Sequence, residues 1–572
     1  MLGLVIGQRR KERLRRLLRR LAFGLAAVAV TLLLSYTAFR RWTLLTPPVD
    51  EGPALPSAAR VVEVDGTPRV TVGQSWMERR EGVWRLNLVG DPRTMGHAHG
   101  LLAGRITNEI ERHLKRLMAS FVTTPLRRWL ADNVVRWRFR NLPEHIPPRR
   151  VVELAAYGRT MGKVEGLPAE PFHRLVLYHA LHDITQRLDG SPLIGCTAFA
   201  AWGDRTSEGH LIVGRNFDFE GGEVFDRDKA LLTFRTPGRI PFVSVAWPGM
   251  MGVVTGVNAK QIYVSINAAR TDAPLKPGIP MAFLVREVLE RAGSIKEALE
   301  IIKQNDVMVA EGLLIADGKV PEAVVVELAP DQRAVRRAPA QMIGLANHFL
   351  DRKYKADANN DWLRRYTTSD ARYRRLMELL ERFGGRIDVR TAALILRNRT
   401  GLGDVPLGLG NRNALDALIA THGVVVDLTT MVLWVSRGPN LLGAFTPVSL
   451  RALLGMPLQL PAGGGKPAAL DPEPIPADPL RGSDAHQRYL QAQAQVDYAE
   501  SLAGEGQTVE AVDYARRAVG LEPDSAEARL LLGDLLWSAQ RWDEAKEEYR
   551  RFLTLHPPYL KDKERVKTRL GQ

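Results

Sequence analysis

Residues 193–222 read LIGCTAFAAWGDRTSEGHLIVGRNFDFEGG, and the fold turns on them. Apolar runs flank a polar segment from Gly203 to Gly209, a pattern that predicts two adjacent β-strands joined by a turn. Cys196, the only cysteine in the chain, then opens one strand, and Arg215 to Asp218 close the other beside it. A thiol attacks only as its thiolate, and a neighbouring guanidinium favours that form by opposite charge, which gives Arg215 a task. A carboxylate such as Asp218 can orient an amine that acts as base, the logic of a nucleophile activated by its own α-amino group. Cys196 is internal as translated, so this chemistry requires cleavage after Gly195. Glycine there lacks a Cβ, tolerates strained backbone and leaves its carbonyl open to the following thiol.

Outward from this hairpin, the stretch from Trp84 to about Leu460 has a mixed pattern. The runs ITNEIERHLKRLMASFV and VLYHALHDITQRL are helical in period. After Cys196, strands dominate, in VVTGVNAKQIYVSINAA, AEGLLIADG and EAVVVELAP, with helices MAFLVREVLERA and SIKEALEIIKQN between them. The class expected is α+β rather than a regular βαβ alternation.

GCT followed by GRNFDF resembles the N-terminal-nucleophile (Ntn) hydrolases that include acyl-coenzyme A:6-aminopenicillanic acid acyltransferase and the choloylglycine hydrolases. The acyltransferase branch, peptidase family C45, is the nearer, because its cysteine is internal and follows an autocleavage glycine. The resemblance extends over most of residues 84–440, through Gly90, Gly96 and Gly100, ELAAYGRTMGKVEGLP (153–168), GVNAKQIYVSINAAR, LANHF and TTSDARYRR. It implies a four-layer αββα sandwich and a site made of Cys196, Arg215, Asp218, Asn267, Asn347 and Arg372. In that site Asn267 lines the oxyanion hole, Asp218 and Asn347 orient the α-amino group, and Arg215 and Arg372 tune charge. The implied activity is a self-cleaved cysteine amidohydrolase or acyltransferase acting on linear amides, that is, carbon–nitrogen bonds other than peptide bonds. An esterase acting on phospholipids or other lipid esters with the same cysteine is the alternative, and a membrane-tethered scaffold with an inactive hydrolase domain is a second. No cofactor and no metal is implied, and the substrate expected is a small N-acyl compound or acyl lipid.

The chain has 572 residues, 45% of them hydrophobic and 25% charged, which excludes global disorder. One cysteine excludes a disulfide framework, a four-cysteine zinc site and a CxxC redox pair. The formal charge is +15, but residues 1–43 supply +9 of it, so no nucleic-acid partner is expected. From Leu21 to Phe39 the sequence carries no charge, and about 19 residues rising 1.5 Å each span the hydrocarbon of a bilayer. Eight basic residues precede this span and Arg40 and Arg41 follow it, so the positive-inside rule predicts a single-pass protein. Residues 1–20 are then a cytosolic basic tail and the catalytic body is extracytoplasmic, periplasmic or at the cell surface. Residues 40–83 are expected to be a juxtamembrane segment ahead of a hydrolase domain over 84–460, with an α-segment 84–195 and a β-segment from 196.

Residues 461–485 are rich in Pro, Gly and Ala and predict a linker. Beyond it a spacing of 34 recurs in Leu502 and Leu536, Ala511 and Ala545, Ala518 and Phe552, Leu521 and Leu555, and Pro523 and Pro557. That period resembles tetratricopeptide repeats and predicts a small all-α domain of two helical hairpins over 486–558, a surface for a protein partner, before a basic tail 559–572. HExxH, GxSxG and Walker-type motifs are absent from the sequence. His97 and His99 in GHAHG read as surface histidines of a glycine-rich turn.

Overall fold

The computed structural model describes residues 2–122, 124–164, 167, 170–185, 194–457 and 472–572. The linker residues 461–471 and the chain immediately before Ile194 lie outside the described residues.

The strands are β1 (Arg60–Val64), β2 (Thr67–Val72), β3 (Ser75–Arg80), β4 (Val83–Val89), β5 (Ile194–Gly203), β6 (Gly209–Phe219), β7 (Ala230–Arg235), β8 (Phe242–Ala246) and β9 (Thr255–Asn258). They continue with β10 (Ile262–Ala268), β11 (Glu311–Asp317), β12 (Glu322–Leu328), β13 (Arg333–Arg337), β14 (Met342–Leu345), β15 (Ala420–Asp427), β16 (Val432–Ser436) and β17 (Phe445–Ser449). One sheet runs β1-β2-β3-β4-β7-β8-β9-β10-β11-β12-β13 and the other β14-β5-β6-β15-β16-β17. Pairing is antiparallel except between β4 and β7.

The alternation of side chains along a strand sorts the core into three layers. In β5 and β6, Ala198, Ala200, Leu211 and Val213 point inward and pack with Leu231, Val245, Tyr263 and Val325 of the large sheet. Their neighbours Phe199, Ala201 and Ile212 point outward, onto Leu376 and Leu379 of the helix Ser369–Arg382 and Ile395 of the helix Val389–Leu396. On the far side of the large sheet, Leu232, Ile266 and Val324 meet Leu102, Leu154, Leu175 and Leu284 from four helices. The helices Pro92–Phe121 and Pro148–Thr160 approach so closely that a Cβ at Gly96 would lie 2.1 Å from the Glu153 carbonyl oxygen. Each fully buried leucine stabilises such a core by roughly 1.5–3 kcal/mol. The layers are helix, sheet, sheet, helix, the αββα sandwich expected.

At its start, the helix Leu2–Trp42 contains a stretch, Arg15–Trp42, long and apolar enough to cross a membrane. It is tied to the helix Pro125–Arg138 by an Arg40–Asp132 ion pair of 2.5 Å and by Trp129 Nε1 donating to Tyr36 Oη at 2.9 Å. At the other end, the helices Asp484–Gly504, Thr508–Leu521, Ala526–Ser538 and Trp542–Thr554 form two hairpins around Ala515, Leu532, Ala545 and Phe552.

Three segments differ from the sequence reading. Residues 40–83 are not a separate juxtamembrane segment, because β1, β2 and β3 extend the large sheet beyond β4. Part of the 461–485 linker is pinned: Phe445 and Ile475 exchange backbone hydrogen bonds, and Arg397 donates to Pro476 O at 2.9 Å. Residues 559–572 are not a plain basic tail but carry the helix Leu560–Leu570, whose Val566 is buried against the hairpins.

Candidate active site

β5 and β6 form the predicted hairpin, with Gly203 opposite Gly209 and both at positive φ, where glycine carries no Cβ penalty. Its register sets Cys196 against Phe217, Gly195 against Asp218 and Ala198 against Arg215. The alternation of the strand then places Arg215 on the same, inner side as the thiol.

Arg215 is fully buried. It donates to the carbonyls of Val254 and Ile266 and to Thr255 Oγ1, and its Nη2 stands 3.7 Å from Cys196 Sγ. Three fixed acceptors hold the guanidinium beside the sulfur. Burial pushes the thiol up to about 11 in this uncut chain, with Arg215 pulling the other way.

The backbone of Cys196 is handled from elsewhere. Its N–H donates to Asn347 Oδ1 at 2.9 Å. Arg372, in the first turn of the 369–382 helix, donates from Nη2 to the same Oδ1 at 2.7 Å, and from Nη1 to Cys196 O at 2.6 Å and Thr197 Oγ1 at 2.9 Å. Asn347 is fixed in turn, its Nδ2 donating to Ala268 O at 2.9 Å and its N–H to Ser369 Oγ at 2.8 Å. Asn267 answers across the same junction, its Nδ2 donating to Ala346 O at 3.1 Å, while its Oδ1 is buried without a partner among the described residues.

Asp218 stands beside the Gly195–Cys196 bond. A Cβ at Gly195 would lie 3.5 Å from Asp218 Oδ2 and 3.6 Å from Arg372 Nη2. Burial raises the Asp218 carboxyl to about 7, against the pull of Arg372, and its Oδ1 has no hydrogen-bond partner among the described residues. All six predicted residues thus converge on one buried cluster. Gly195 differs from expectation in one respect: its φ is not positive and a Cβ there makes ordinary contacts, so relief of strain does not explain the glycine.

Beside Phe217 a cavity of about 140 Å³ is lined mainly by apolar side chains, among them Leu114, Leu175, Phe225, Trp247 and Val254. His182 lies in its wall, paired with Glu311 at 2.8 Å, and next to it the Asp183 carboxyl is pushed up to about 7, chiefly by burial. Nothing local in the sequence singles out these three, nor Thr197, Thr255 and Ser369, because their partners are distant in the chain. GHAHG is not the glycine-rich turn expected. His97 and His99 lie on the helix Pro92–Phe121, His99 is buried and accepts from Gly249 N–H at 2.9 Å, and the glycines serve helix packing rather than a turn.

A helix, sheet, sheet, helix sandwich thus gathers a cysteine, two arginines, two asparagines and a carboxylate at the start of a central strand, the arrangement the sequence resemblance implied. Residues 205–401 match the family described as acyl-coenzyme A:6-aminopenicillanic acid acyl-transferase, and residues 502–557 match tetratricopeptide repeats. The first match contains Arg215, Asp218, Asn267, Asn347 and Arg372 and begins after Cys196. An uncharacterised protein of Archaeoglobus fulgidus is 32% identical over 148 residues, 25% of this chain and 24% of that protein. The N-acylethanolamine-hydrolyzing acid amidase of Caenorhabditis elegans is 27% identical over 142 residues, 23% of this chain and 39% of that protein. The chain therefore spans well under half the length of these two relatives. The structure of a conjugated bile acid hydrolase variant from Clostridium perfringens superposes with a TM-score of 0.33 at 13% identity, over 46% of this chain and 95% of the other.

Proposed function

We propose that the chain is a cysteine amidohydrolase or acyltransferase of linear amides, activated by its own cleavage between Gly195 and Cys196. The observation that carries this reading is the division of labour around Cys196. Arg215 faces the thiol, whereas Asn347 and Arg372 hold the backbone nitrogen and carbonyl and Asp218 lies beside Gly195.

In the cleavage step the Cys196 sulfur attacks the Gly195 carbonyl carbon. The bond to the Cys196 nitrogen breaks, the nitrogen takes up a proton, and the resulting thioester is hydrolysed to a Gly195 carboxylate and a free thiol. The same nitrogen is then an α-amine with donors to spare, and an Asp218 oxygen without a partner among the described residues supports its role as an acceptor. In turnover the thiolate attacks an acyl carbonyl, with the Asn267 amide and a backbone N–H on the oxyanion, a contribution worth about 2.7–4 kcal/mol where one such donor has been removed. The α-amino group passes its proton to the leaving amine, and water or a second amine takes the acyl group from sulfur. The cavity beside Phe217 suits an apolar acyl chain.

The Arg15–Trp42 stretch anchors this domain to a membrane, with the N-terminal tail cytosolic and the catalytic body outside, as the charge asymmetry supports. Intact mass and N-terminal sequencing of the purified protein test the reading. A fragment beginning Cys196-Thr197-Ala198 together with amide cleavage supports it, and a single uncut chain that hydrolyses no amide rejects it.

A further inference from the structure

The two C-terminal hairpins pack against the hydrolase domain instead of standing free. Gly408 and Gly410 lie where a Cβ would come within 2.8 Å of Asp524 O and of Tyr489 Oη, so the absence of side chains lets the domains touch. Asn413 Nδ2 donates to His556 O at 3.2 Å, and Arg399 pairs with Asp478, just before the first repeat helix, at 2.9 Å.

Between the two domains lies a cavity of about 280 Å³, lined by Glu220 and Arg412 on the hydrolase side and by Asp524, Glu527 and Tyr559 from the repeats. Arg412 pairs with Glu220 at 3.0 Å. Glu220 is two residues beyond Asp218, and Asp218 feels the charges of both Glu220 and Arg412. Tyr559 lies within electrostatic reach of Arg412 and of Arg372. The intervening Phe219 lines both the apolar cavity and a second polar cleft that contains Glu220, Arg412 and Tyr489. Apolar space therefore lies on one side of Phe219 and polar space, walled in part by the repeats, on the other, next to the strand end that carries Asp218.

We propose that the repeats complete the substrate site, with Tyr489, Glu527 and Tyr559 joining Glu220 and Arg412 in a subsite for the amine half of an N-acyl substrate. The inference rests on the amidase reading above. Arg412 is already matched by Glu220, so Asp524 and Glu527 leave the cavity with excess negative charge. The amine half it takes bears a hydroxyl or an ammonium group rather than a carboxylate.

The test uses the full chain in detergent and three N-dodecanoyl amides that differ only in the head, those of ethanolamine, ethylenediamine and glycine. The wild-type protein is expected to cleave the first two with kcat/KM about tenfold or more above the third. Glu527→Lys is expected to abolish or invert that ratio while leaving chain-length preference unchanged. Leu114→Phe, in the apolar cavity, is expected to shift chain-length preference and leave the head ratio alone. Glu527 is exposed, so Glu527→Lys and the milder Glu527→Gln should both fold. An active Glu527→Lys protein with the wild-type head ratio overturns the subsite and leaves the amidase reading standing. A wild-type protein that cleaves none of the three amides overturns both.

Discussion

Asp218 lies directly opposite Gly195 in the β5–β6 register, with Oδ2 3.5 Å from where a Gly195 Cβ would be and Oδ1 unpaired among the described residues. A buried carboxyl without a full set of donors is costly, and the proposed α-amine supplies the missing ones. Cys196→Ala is accordingly expected to give one uncut chain of 572 residues with no amidase activity, as read by intact mass and turnover. Activity retained by this variant would remove Cys196 from the chemistry.

The raised Asp218 carboxyl also makes the stability of the uncut chain depend on pH. Its value is 3.8 in the ordinary state and about 7 here, so the folded chain holds a proton that the unfolded chain has lost over that interval. The stabilising contribution is complete below 3.8 and is lost as pH rises through 7. Asp183 behaves in the same direction. In a Cys196→Ala background, Asp218→Asn should therefore gain stability relative to its parent on going from about pH 5 to about pH 8. Urea unfolding at the two pH values checks it, and an equal difference at both would contradict the buried, protonated carboxyl.

Arg215→Lys keeps the charge but not the fork. A lysine cannot serve the carbonyls of Val254 and Ile266, Thr255 Oγ1 and the thiol at once, and each acceptor left buried and unpaired costs about 1–3 kcal/mol. The expected result is a destabilised chain whose thiol titrates higher, seen as an alkylation rate profile displaced to higher pH. An unchanged profile would argue against Arg215 as the thiolate's partner.

Gly96→Ala tests the helix packing that supports the large sheet. The new Cβ meets the Glu153 backbone oxygen at 2.1 Å, and backbone does not yield as a flexible side chain does. Overpacking of this kind destabilises by about 1–3 kcal/mol, to be read in denaturant midpoints. Gly195→Ala, by contrast, meets only ordinary contacts and should fold, which isolates any effect it has on cleavage.

Removal of residues 1–42 should shift the protein from the membrane pellet to the supernatant on fractionation, because it deletes the Arg15–Trp42 stretch. Continued sedimentation with membranes would place the attachment elsewhere.

The hairpin at Cys196 was legible because its information is local: alternating apolar residues, turn glycines and a lone cysteine lie within thirty residues. Asn267, Asn347 and Arg372 were legible only as a family resemblance, since sequence spacing alone does not bring β10, the 345–347 turn and the 369–382 helix to one strand end. What the sequence hid shares one cause. Gly96 and Gly100 look like turn formers until a second helix is seen to press on them. In β1 most side chains are exposed, so no apolar alternation announced it, and it is held by hydrogen bonds to a neighbouring strand. Val566 is the sole buried residue of a helix otherwise dominated by charge, which disguised the 560–570 segment as a tail.

The pairing of β5 with β6 begins at Ile194 and Phe219, upstream of the bond proposed to be cut. Severing the chain after Gly195 does not by itself clear the pocket, because the outgoing end remains laced into the sheet. In the proposed cleavage the new Gly195 carboxylate forms alongside Asp218, whose raised carboxyl brings a proton to the pair. On the proposed mechanism, maturation then has two stages, a cut and a release of the strand end from β6.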